Sequence, residues 1–498
     1  MRRTLMLLLA ILGSNIFPAT AADRPNVLLI CVDDLKPMLG CYGDDTVKSP
    51  NIDALAARGL QFNRAYCNQA VCAPSRNALL TGLRPSTLGI YDLATNFRLA
   101  VPNAVTLPQF FMQHGYRTEG MGKIYHPGQG NSDDPASWSV PFWPGHYSHY
   151  VEKENLDWIT SSLADARLHP EKQTRPGQVG KAAPYEAADV PDNAYPDGQI
   201  ADEALQRLTI AAQSPKQPFF IAIGFLKPHL PFCAPKKYWD LYDPTTFKLA
   251  ERSTLPDGAP EFANTPWIEL RNYRGMPDSG PVSDDDARKL IHGYHAAVSY
   301  LDAQLGRVIA KLYELGLANN TIIVLWGDHG WHLGDHGMWC KHTNYEQAAH
   351  IPLIVVDPRA RAHGAKCDSL VESVDLYPTL CALAGLEAPS GLEGASFAKV
   401  LDDPHAPTKD AILHVYPRQN RIGRALRTNR YRLVEWKVPG AKRESAIYEL
   451  YDYQTDPGET KNLADSEPDI VRKLTALLDK FPPAKPQLKT AGPKKLAE

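Results

Sequence analysis

Three nearly uninterrupted apolar runs lie far apart along the chain, and each of them stops abruptly close to ionisable residues. They span residues 26–32, 219–225 and 321–326, and a similar apolar run spans 351–356. Strands that are buried on both faces of a parallel sheet have this continuous apolar pattern. The four runs therefore predict four strands in the interior of one large sheet.

A second pattern, with apolar residues at every third or fourth position, separates these runs. It is longest over 298–315, where Gly316 is placed to end a helix, and a shorter example covers 107–114. This spacing is typical of an amphipathic helix with one apolar face. The alternation of buried strands with amphipathic helices predicts the α/β class, with a parallel sheet that carries helices on both faces.

Residues 127–215 lack both patterns and are rich in proline, glycine, aspartate and tryptophan. We interpret this stretch as long loops over the sheet, where substrate-contacting residues commonly lie. The sequence thus predicts an irregular surface layer for this part of the chain.

The composition changes again over 385–408, a stretch rich in proline and aspartate that predicts a domain boundary. Beyond it, "AILHVYP" and "RALRTNRYRLVEW" predict antiparallel strands, and 470–481 predicts a closing helix. We therefore expect a large domain over 22–403 and a smaller α+β domain over 404–498.

The N-terminus has the three parts of a secretory signal peptide. Two arginines follow Met1, an apolar segment covers residues 5–17, and small residues precede a cleavage point after Ala21. The apolar segment is too short to span a bilayer, and no later segment has the ~20 unbroken apolar residues of a membrane helix. We expect residues 1–21 to be removed and the protein to be exported, periplasmic or extracellular, without a membrane span. An ordinary hydrophobic helix is the alternative.

Charge and cysteine content narrow the function classes. The formal charge of -3 becomes about -5 when residues 1–21, with two arginines and no acid, are removed. This mild acidity argues against a nucleic-acid partner. The eight cysteines show no metal-finger spacing, and in an exported chain they allow disulfides such as Cys41–Cys67 or Cys72–Cys340. Buried free thiols are the alternative.

Acidic residues and histidines follow three of the predicted strands. Asp33 and Asp34 end the first run, His229 follows the second, and Asp328 and His329 follow the third. The carboxyl ends of parallel strands meet at one edge of a sheet, where ligands bind. Three carboxylates at one point repel each other and need a cation, and oxygen-rich clusters suit Ca²⁺ or Mg²⁺ better than zinc. Either acidic motif alone would fit a turn or helix cap, whereas both together favour a metal site.

Positively charged side chains are expected to converge beside this metal site. They are Arg76, Lys123, His126, His229 and Lys341. Each of them alone would fit an ordinary solvated loop. A divalent cation with fixed positive side chains around it suits an anionic, oxygen-rich substrate such as a sulfate or a phosphate.

Cys72 precedes the stretch "APSRNALLTG", at what the pattern predicts to be the first turn of a helix. A helix N-terminus carries unpaired N–H groups and a partial positive charge, so anions are favoured there. The cysteine is then either a nucleophile of low pKa or a small buried residue. A plain thiolate explains the metal site poorly, because hard, oxygen-rich sites do not prefer sulfur.

Cys72-Ala73-Pro74-Ser75-Arg76 resembles the C-x-P-x-R signature of type I sulfatases, and "LLTG" follows it as in that family. Asp33-Asp34 and "WGDHGWHLGDHG" extend the resemblance, which covers most of the chain. The stretches "GKIYHPG", "FLKPHLPF" and "DHGWHLGDHGMWCKHTN" are similar to the iduronate-2-sulfatase branch, which has a histidine at the position of His329 where many sulfatases have asparagine. The resemblance implies an alkaline-phosphatase-like sandwich: a large, mostly parallel sheet with helices on both faces, and a smaller C-terminal domain with an antiparallel sheet.

The resemblance also implies a role for each polar residue. Cys72 would be oxidised to Cα-formylglycine by a formylglycine-generating or anaerobic sulfatase-maturating enzyme, and the hydrated aldehyde would attack sulfur. The residues implied to hold Ca²⁺ are Asp33, Asp34, Asp328, His329 and the modified Cys72. Arg76 is implied to orient the aldehyde hydrate, and Lys123 and Lys341 are implied to bind the sulfate. His126 would be the base for sulfate release, and His229 would bind the substrate and protonate the leaving alcohol.

The implied reaction is hydrolysis of a sulfate ester on a sulfated carbohydrate, with glycosaminoglycan-derived uronate 2-sulfate as the substrate of this branch. Another sulfated polysaccharide, such as an algal glycan, is one alternative. A phosphate or phosphonate ester is another, because tetrahedral oxyanions present similar oxygens to the site. A non-catalytic glycan-binding protein remains if Cys72 is never oxidised, and the absence of a C-x-x-C motif counts against a redox protein.

Overall fold

The structure, a computed structural model, describes residues 24–127, 131–145, 148–169 and 177–489. The predicted signal peptide over 1–21 lies outside these residues. The strands are β1 (Asn26–Val32), β2 (Leu60–Tyr66), β3 (Arg117–Gly122), β4 (Tyr185–Glu186), β5 (Phe219–Phe225), β6 (Phe232–Cys233), β7 (Thr321–Gly327), β8 (His332–Leu333), β9 (Trp339–Cys340), β10 (His350–Val356), β11 (Ala365–Cys367), β12 (Val371–Glu372), β13 (Ala411–Arg418), β14 (Arg421–Thr428), β15 (Tyr431–Lys437) and β16 (Ile447–Asp452). The helices are α1 (Pro50–Ala56), α2 (Cys72–Thr81), α3 (Pro85–Leu88), α4 (Leu107–Gln113), α5 (Lys153–Leu168), α6 (Pro196–Ala212), α7 (Lys236–Trp239), α8 (Ile268–Arg271), α9 (Asp284–Glu314), α10 (Glu346–Ala349), α11 (Leu376–Leu383) and α12 (Pro468–Leu478).

The large sheet has the strand order β11-β2-β10-β7-β1-β5-β3, and β12 also pairs with β2. At its centre, β1 runs parallel to β7 on one side and to β5 on the other. β3 continues the parallel arrangement beyond β5. The four long apolar runs thus form adjacent strands, and the predicted large, mostly parallel sheet is confirmed. β10 departs from the pattern, because it runs antiparallel to both β2 and β7.

Alternate residues of β1 enter two separate hydrophobic cores, one on each face of the sheet. Leu28 and Ile30 pack in a core that includes residues of α6 and α9. Leu29 and Cys31 pack in a second core, together with residues of α2, α4 and α11. All seven residues of β1 are buried, so its sequence shows no polar alternation. The prediction of helices on both faces is therefore confirmed.

Helix α9 has 31 residues and lies against one face of the sheet. Ser283 caps its N-terminus by accepting a hydrogen bond from the Asp286 N–H, and the aspartates of its first turn are favoured by the helix dipole. Gly316 adopts a φ of 69° just beyond the last turn, as a helix-ending glycine does. The periodic pattern over 298–315 marks only the second half of this helix.

The prediction of long loops over 127–215 is wrong for two segments, which form α5 and α6. Helix α5 buries only Asn155, so it has no apolar stripe for the sequence to show. Helix α6 packs against α9 and buries Ile200, Ala204 and Leu208, whose spacing is diluted by small residues. Apolar periodicity arises from a buried apolar helix face, so a helix without a pronounced apolar face cannot be predicted from this pattern.

The C-terminal sheet has the antiparallel order β13-β14-β15-β16, and α12 packs on it through Leu474 and Leu478. The predicted antiparallel sheet and closing helix are confirmed. A bend at Asn429 and Arg430 divides "RALRTNRYRLVEW" between β14 and β15. The domain division at residue 403 stays a prediction.

Two further expectations concern the cysteines and the membrane. All eight cysteines are free, so the disulfide alternatives Cys41–Cys67 and Cys72–Cys340 are wrong. Seven of the eight are buried, as small apolar residues commonly are. Within the described residues, no helix combines the length and the apolar character needed to cross a bilayer.

Candidate active site

The parallel pairing of β1 with β7 brings two acidic motifs together. The last residues of these strands are paired in the register, so Asp33-Asp34 and Asp328-His329 leave the sheet at the same edge. Asp34 adopts a left-handed φ of 59°, which aspartate tolerates better than most residues. Its N–H donates to Asp328 Oδ1 at 3.0 Å, and all four side chains are buried. Strand pairing and this turn hold the carboxylates side by side.

Helix α2 adds Cys72, its first residue, to this cluster. The Cys72 Sγ lies 3.4 Å from His329 Nε2. Two overlapping groups of ligand atoms have all their members within 4.8 Å of one another. The groups are Asp33, Cys72, Asp328 and His329, and Asp33, Asp34, Cys72 and His229. Three carboxylates among these donors suit a hard divalent cation such as Ca²⁺, whereas the sulfur does not.

The two adjacent aspartates have opposite electrostatic surroundings. Burial raises the pKa of Asp33, but Lys123 and other nearby cations outweigh this effect and hold the pKa well below its usual range. Burial also dominates at Asp34, where Lys341 opposes it and the charge of Asp33 adds to it, so the pKa lies above its usual range. Crowded, buried carboxylates of this kind depend on neighbouring positive charge.

Arg76, one turn after Cys72 on α2, joins the two acidic motifs. Its Nε donates to Asp328 Oδ2 at 2.9 Å, and Nη2 lies 3.5 Å from Asp33 Oδ1. Nη1 donates to the Lys123 carbonyl. The guanidinium is fully buried, and its rigid, planar fork of donors serves these three acceptors at once. Arg76 therefore fixes the orientation of both carboxylates.

Lys123 follows β3 and reaches into the same cluster. Its ammonium forms an ion pair with Asp33 and lies 3.5 Å from Cys72 Sγ. The Lys123 N–H donates to the Gly224 carbonyl of β5 at 2.8 Å. A Cβ at position 224 would lie 2.1 Å from the Lys123 carbonyl carbon. Only glycine permits this close approach, which sets the position of Lys123.

Lys341 lies between two residues with left-handed backbone, Cys340 (φ 68°) and His342 (φ 74°). Such backbone is sparsely populated by residues other than glycine and occurs often at functional sites. The Lys341 ammonium donates to Asp34 Oδ1 at 3.0 Å and to Glu269 Oε1 at 3.1 Å. Lys341 is therefore a buried cation in direct contact with the acidic cluster.

Glu269, on the short helix α8, is a site residue that the sequence analysis missed. Its Oε1 lies 3.0 Å from His229 Nε2, in addition to its bond with Lys341. Burial alone would raise the pKa of Glu269, but Lys341 and His229 hold it well below its usual range. Glu269 lies in an irregular stretch, "NTPWIELRNY", without a motif or period that distinguishes it from a surface glutamate.

His229 follows β5 in a segment held by two buried charges. The Asp197 carboxylate accepts hydrogen bonds from the N–H groups of Leu226 and Lys227, at 2.8 and 2.9 Å. The Lys227 ammonium donates to the His229 carbonyl at 2.9 Å. The His229 ring then lies with Nε2 at 3.9 Å from Asp34 Oδ2. Its backbone is therefore fixed independently of the ring's own contacts.

His126 lies at the margin of the cluster, half-buried after β3. Its Nδ1 is buried without a hydrogen-bond partner among the described residues. Burial and the neighbouring Lys123 charge lower the pKa of His126 to about 3, so its ring is neutral at pH 7. No hydrogen bond within the described residues joins it to Cys72.

The surroundings of Cys72 do not favour a thiolate. Burial and the charge of Asp33 raise the pKa of its thiol, although Lys123 and Lys341 oppose them. The helix N-terminus therefore does not produce a low-pKa nucleophile here, and that alternative is not supported. An unmodified thiol at this position would be a poor nucleophile.

The strand ends of the large, mostly parallel sheet gather carboxylates, fixed cations and a helix N-terminus. This arrangement is that of a hydrolase of the alkaline-phosphatase-like fold. The chain belongs to the sulfatase family, the enzymes that hydrolyse sulfuric esters. The family model Sulfatase matches residues 25–386. A second model, N-sulphoglucosamine sulphohydrolase, C-terminal, matches residues 334–482. The predicted family, fold class and enzyme class are thereby confirmed.

Individual relatives refine this placement. Iduronate 2-sulfatase from Homo sapiens is 40% identical over 419 residues, which cover 78% of this chain and 74% of that protein. A solved structure described as a complex with the substrate D-glucosamine-2-N,6-O-disulfate superposes with a TM-score of 0.70 at 21% identity, covering 92% of this chain and 97% of the other. A phosphonate monoester hydrolase of Agrobacterium radiobacter superposes with a TM-score of 0.71 at 23% identity, covering 92% and 95%. The resemblance to the two solved structures is one of fold.

Proposed function

We propose that the protein is an exported, calcium-dependent sulfatase that hydrolyses a sulfate ester of a sulfated sugar through a formylglycine derived from Cys72. The observation that carries the proposal is the cluster of carboxylates, Cys72 and fixed cations at one edge of the sheet. The substrate unit is a uronate 2-sulfate at the end of a glycosaminoglycan-derived chain. Export rests on the signal-peptide pattern over 1–21.

The donor set fits a calcium ion. Asp33, Asp34 and Asp328 offer hard carboxylate oxygens at buried positions, and His329 borders the same space. A calcium ion held by these residues would supply positive charge that makes a neighbouring hydroxyl more acidic. The ammonium groups of Lys123 and Lys341 contact two of these carboxylates and offset part of their charge.

Cys72 in its encoded form is the one poor member of this set, because sulfur is a soft ligand. Oxidation to an aldehyde, whose hydrate carries two hydroxyls on one carbon, removes the mismatch and supplies one hydroxyl to attack sulfur and a second to expel sulfate. The Lys123 ammonium lies 3.5 Å from the Cys72 Sγ. It is therefore in reach of an oxygen that replaces this sulfur.

Two buried ammonium groups would bind the sulfate. The carboxylates beside Lys123 and Lys341 outweigh the effect of burial and raise the pKa of both lysines, so both stay charged. They donate hydrogen bonds to sulfate oxygens and offset the charge that develops during transfer. Arg76, already committed to Asp33 and Asp328, keeps this arrangement in place.

Two histidines would move the protons. His229 presents Nε2 beside Glu269 and Asp34, where a proton on Nε2 can pass to the leaving alcohol. His126, whose ring is neutral at pH 7, is the residue that we assign as the proton acceptor for sulfate release. Its Nδ1 has no hydrogen-bond partner among the described residues and is therefore available to take that proton.

The sugar assignment rests on the relatives. Iduronate 2-sulfatases from Homo sapiens and Mus musculus are 40% and 41% identical to this chain. A phosphate or phosphonate ester is the second candidate, because the phosphonate monoester hydrolase has the same fold. The cluster itself accepts either tetrahedral anion.

The first test separates these chemistries. The protein is coexpressed with a sulfatase-maturating enzyme, and the mass of the peptide that contains Cys72 is measured. We expect a loss of about 18 mass units, the difference between a thiol and an aldehyde at this carbon. p-Nitrophenyl sulfate should be hydrolysed faster than p-nitrophenyl phosphate, and EDTA should remove activity that Ca²⁺ restores.

Three results would contradict the proposal. An unchanged Cys72 mass in an active preparation would rule out formylglycine, faster phosphate hydrolysis would favour the second candidate, and indifference to prolonged EDTA would rule out calcium. A panel of defined sulfated oligosaccharides, including algal glycans, then identifies the sugar. We expect release of sulfate only from chains that end in a 2-sulfated uronate.

A further inference from the structure

A side cleft is connected to the proposed active site through the chain that follows α8, and we define it by Trp158, Lys181, Asn272 and Arg274. Its volume is about 200 Å³. The chain from α8 onward connects the two sites, because Glu269 contacts His229 and Lys341, whereas Asn272 and Arg274 line the cleft. The segment is tied down where the Arg274 N–H donates to the Ala182 carbonyl at 2.9 Å.

The side cleft combines an aromatic face with positive charge. Trp158 is 42% exposed, and its indole N–H donates to the Lys181 carbonyl at 3.0 Å, which fixes the ring. The Arg274 guanidinium lies 5.0 Å from the centre of this ring. Large exposed aromatic rings held rigid by a hydrogen bond are common where proteins bind amphipathic ligands.

Lys181 is a cation of the side cleft whose electrostatic surroundings include charged groups of the proposed active site. Its ammonium donates to the Tyr273 hydroxyl at 3.1 Å, and no carboxylate in the described part of the chain forms an ion pair with it. Burial lowers the pKa of Lys181, and the charges of Glu269, Lys341 and Lys123 also act on it. The side cleft and the proposed sulfate site are therefore within electrostatic range of each other.

We infer that the side cleft is a second sugar subsite, which binds the anionic sugar next to the unit whose sulfate ester is cleaved. This inference rests on the proposed function. The Trp158 ring offers a flat apolar surface to the C–H face of a sugar, and Lys181 and Arg274 offer charge to its carboxylate or sulfate. Asn272 and Gln178, which also line the cleft, can exchange hydrogen bonds with hydroxyls.

The charged residues around the cleft include acidic as well as basic side chains. Asp165 also lines it, and Arg274 donates to Glu154 Oε1 at 2.8 Å on the solvent side. Glu154 is 77% exposed at its side chain, so this pair is weak and can yield to a ligand. Lys181, which forms no ion pair with a carboxylate of the described residues, is the principal anion-binding group of the cleft.

The test compares two substrates across variants of the cleft. The substrates are a heparan-type tetrasaccharide that ends in 2-sulfated iduronate and p-nitrophenyl sulfate, which has no second sugar. We expect Trp158→Ala and Arg274→Gln to lower the ratio of kcat/KM for the tetrasaccharide to kcat/KM for the aryl sulfate by about tenfold. Trp158→Phe, which keeps a ring, should recover most of this ratio.

Leu156→Ala is the matched control, because Leu156 is exposed on the same helix and does not line the cleft. It should leave the ratio at the wild-type value. An unchanged ratio in Trp158→Ala and Arg274→Gln, with both substrates hydrolysed, would overturn the subsite and leave the proposed function intact. Wild-type protein with a mass-verified formylglycine that hydrolyses neither substrate would overturn both.

Discussion

At the scale of single residues, the candidate site is a set of matched charges. Asp33 pairs with Lys123, Asp34 with Lys341 and Asp328 with Arg76, and all of these side chains are buried. Removing one partner of a buried pair leaves an uncompensated charge, which destabilises far more than the pair itself stabilises. Substitutions in these pairs therefore report on folding as well as on catalysis. Glu269 offers a cleaner probe.

Glu269 is 19% exposed at its side chain and contacts two groups that we assign to the substrate, His229 and Lys341. In Glu269→Gln the side chain keeps its size and loses its charge, so His229 loses the carboxylate that orients its Nε2–H. We expect kcat on p-nitrophenyl sulfate to fall about tenfold, as is usual when a partner behind a functional histidine is removed. KM should not rise, because an anion has been removed from an anion-binding site. Steady-state kinetics measure both.

The control for Glu269→Gln is Glu261→Gln, an exposed glutamate in the same irregular region of the chain. It should leave kcat and KM unchanged. A higher KM at an unchanged kcat in Glu269→Gln would contradict the positioning role, because it would mean that the carboxylate binds the substrate directly.

At the scale of elements, strands present the site and the packing between them sets its precision. The close contact of β5 with the end of β3 is the clearest case, because Gly224 faces the Lys123 backbone. In Gly224→Ala, a methyl group would lie 2.1 Å from the Lys123 carbonyl carbon, so the Lys123 segment must move. A displacement of ~1 Å in a catalytic group costs about 100-fold in rate. We expect a loss of activity of that order with the fold retained.

Circular dichroism and the urea midpoint check that Gly224→Ala remains folded, and p-nitrophenyl sulfate hydrolysis measures the effect. The control is Gly458→Ala, where an added Cβ meets only ordinary contacts, 3.5 Å from Thr460 Cγ2. That variant should be as active as wild type. Full activity in Gly224→Ala would show that Lys123 does not depend on this contact.

The same elements show what the sequence could predict. β1, β5 and β7 are buried on both faces, so their sequences are continuously apolar and can be recognised as strands. The polar residues that follow them mark the site. Helix α5 is exposed, so its sequence has no apolar pattern from which the helix could be predicted. Glu269 belongs to the site because α8 lies beside His229 and Lys341, two residues distant from it in the sequence, and no local pattern expresses such a contact. Its neighbours in the sequence are those of a surface loop.

At the scale of the whole molecule, buried ion pairs join the C-terminal sheet to the large sheet. Glu372, at the end of β12, forms ion pairs with Arg84 at 2.5 Å and Lys409 at 2.8 Å. Its Oε2 accepts hydrogen bonds from Asn68 Nδ2 at 2.7 Å and from the Leu413 N–H of β13 at 3.4 Å. The Glu372 carboxylate therefore connects the segments around Asn68 and Arg84 with the segment 409–413 that leads into the C-terminal sheet.

This connection predicts an acid-sensitive contribution to stability. Burial would raise the pKa of Glu372, but Lys409 and Arg84 lower it from 4.5 to about 2. Because the folded pKa lies below the unfolded one, the contribution is complete above about pH 5 and is lost as the pH falls towards 2. In Glu372→Gln the two cations lose their carboxylate, so we expect the free energy of unfolding at pH 7 to fall by about 3–5 kcal/mol. Between pH 4.5 and 2 the difference from wild type should shrink, because the wild-type carboxylate becomes protonated there.

Urea unfolding followed by tryptophan fluorescence, at pH 7 and at pH 3, measures this difference. Glu444→Gln, at an exposed position between β15 and β16, serves as the control and should match wild type at both pH values. Because Asp375 also contacts Lys409, at 2.6 Å, it can retain part of the connection in the variant, which would reduce the loss at pH 7 without changing its direction. A loss in Glu372→Gln that is equally large at both pH values would mean that packing, and not the charge of Glu372, holds the C-terminal sheet against the large one.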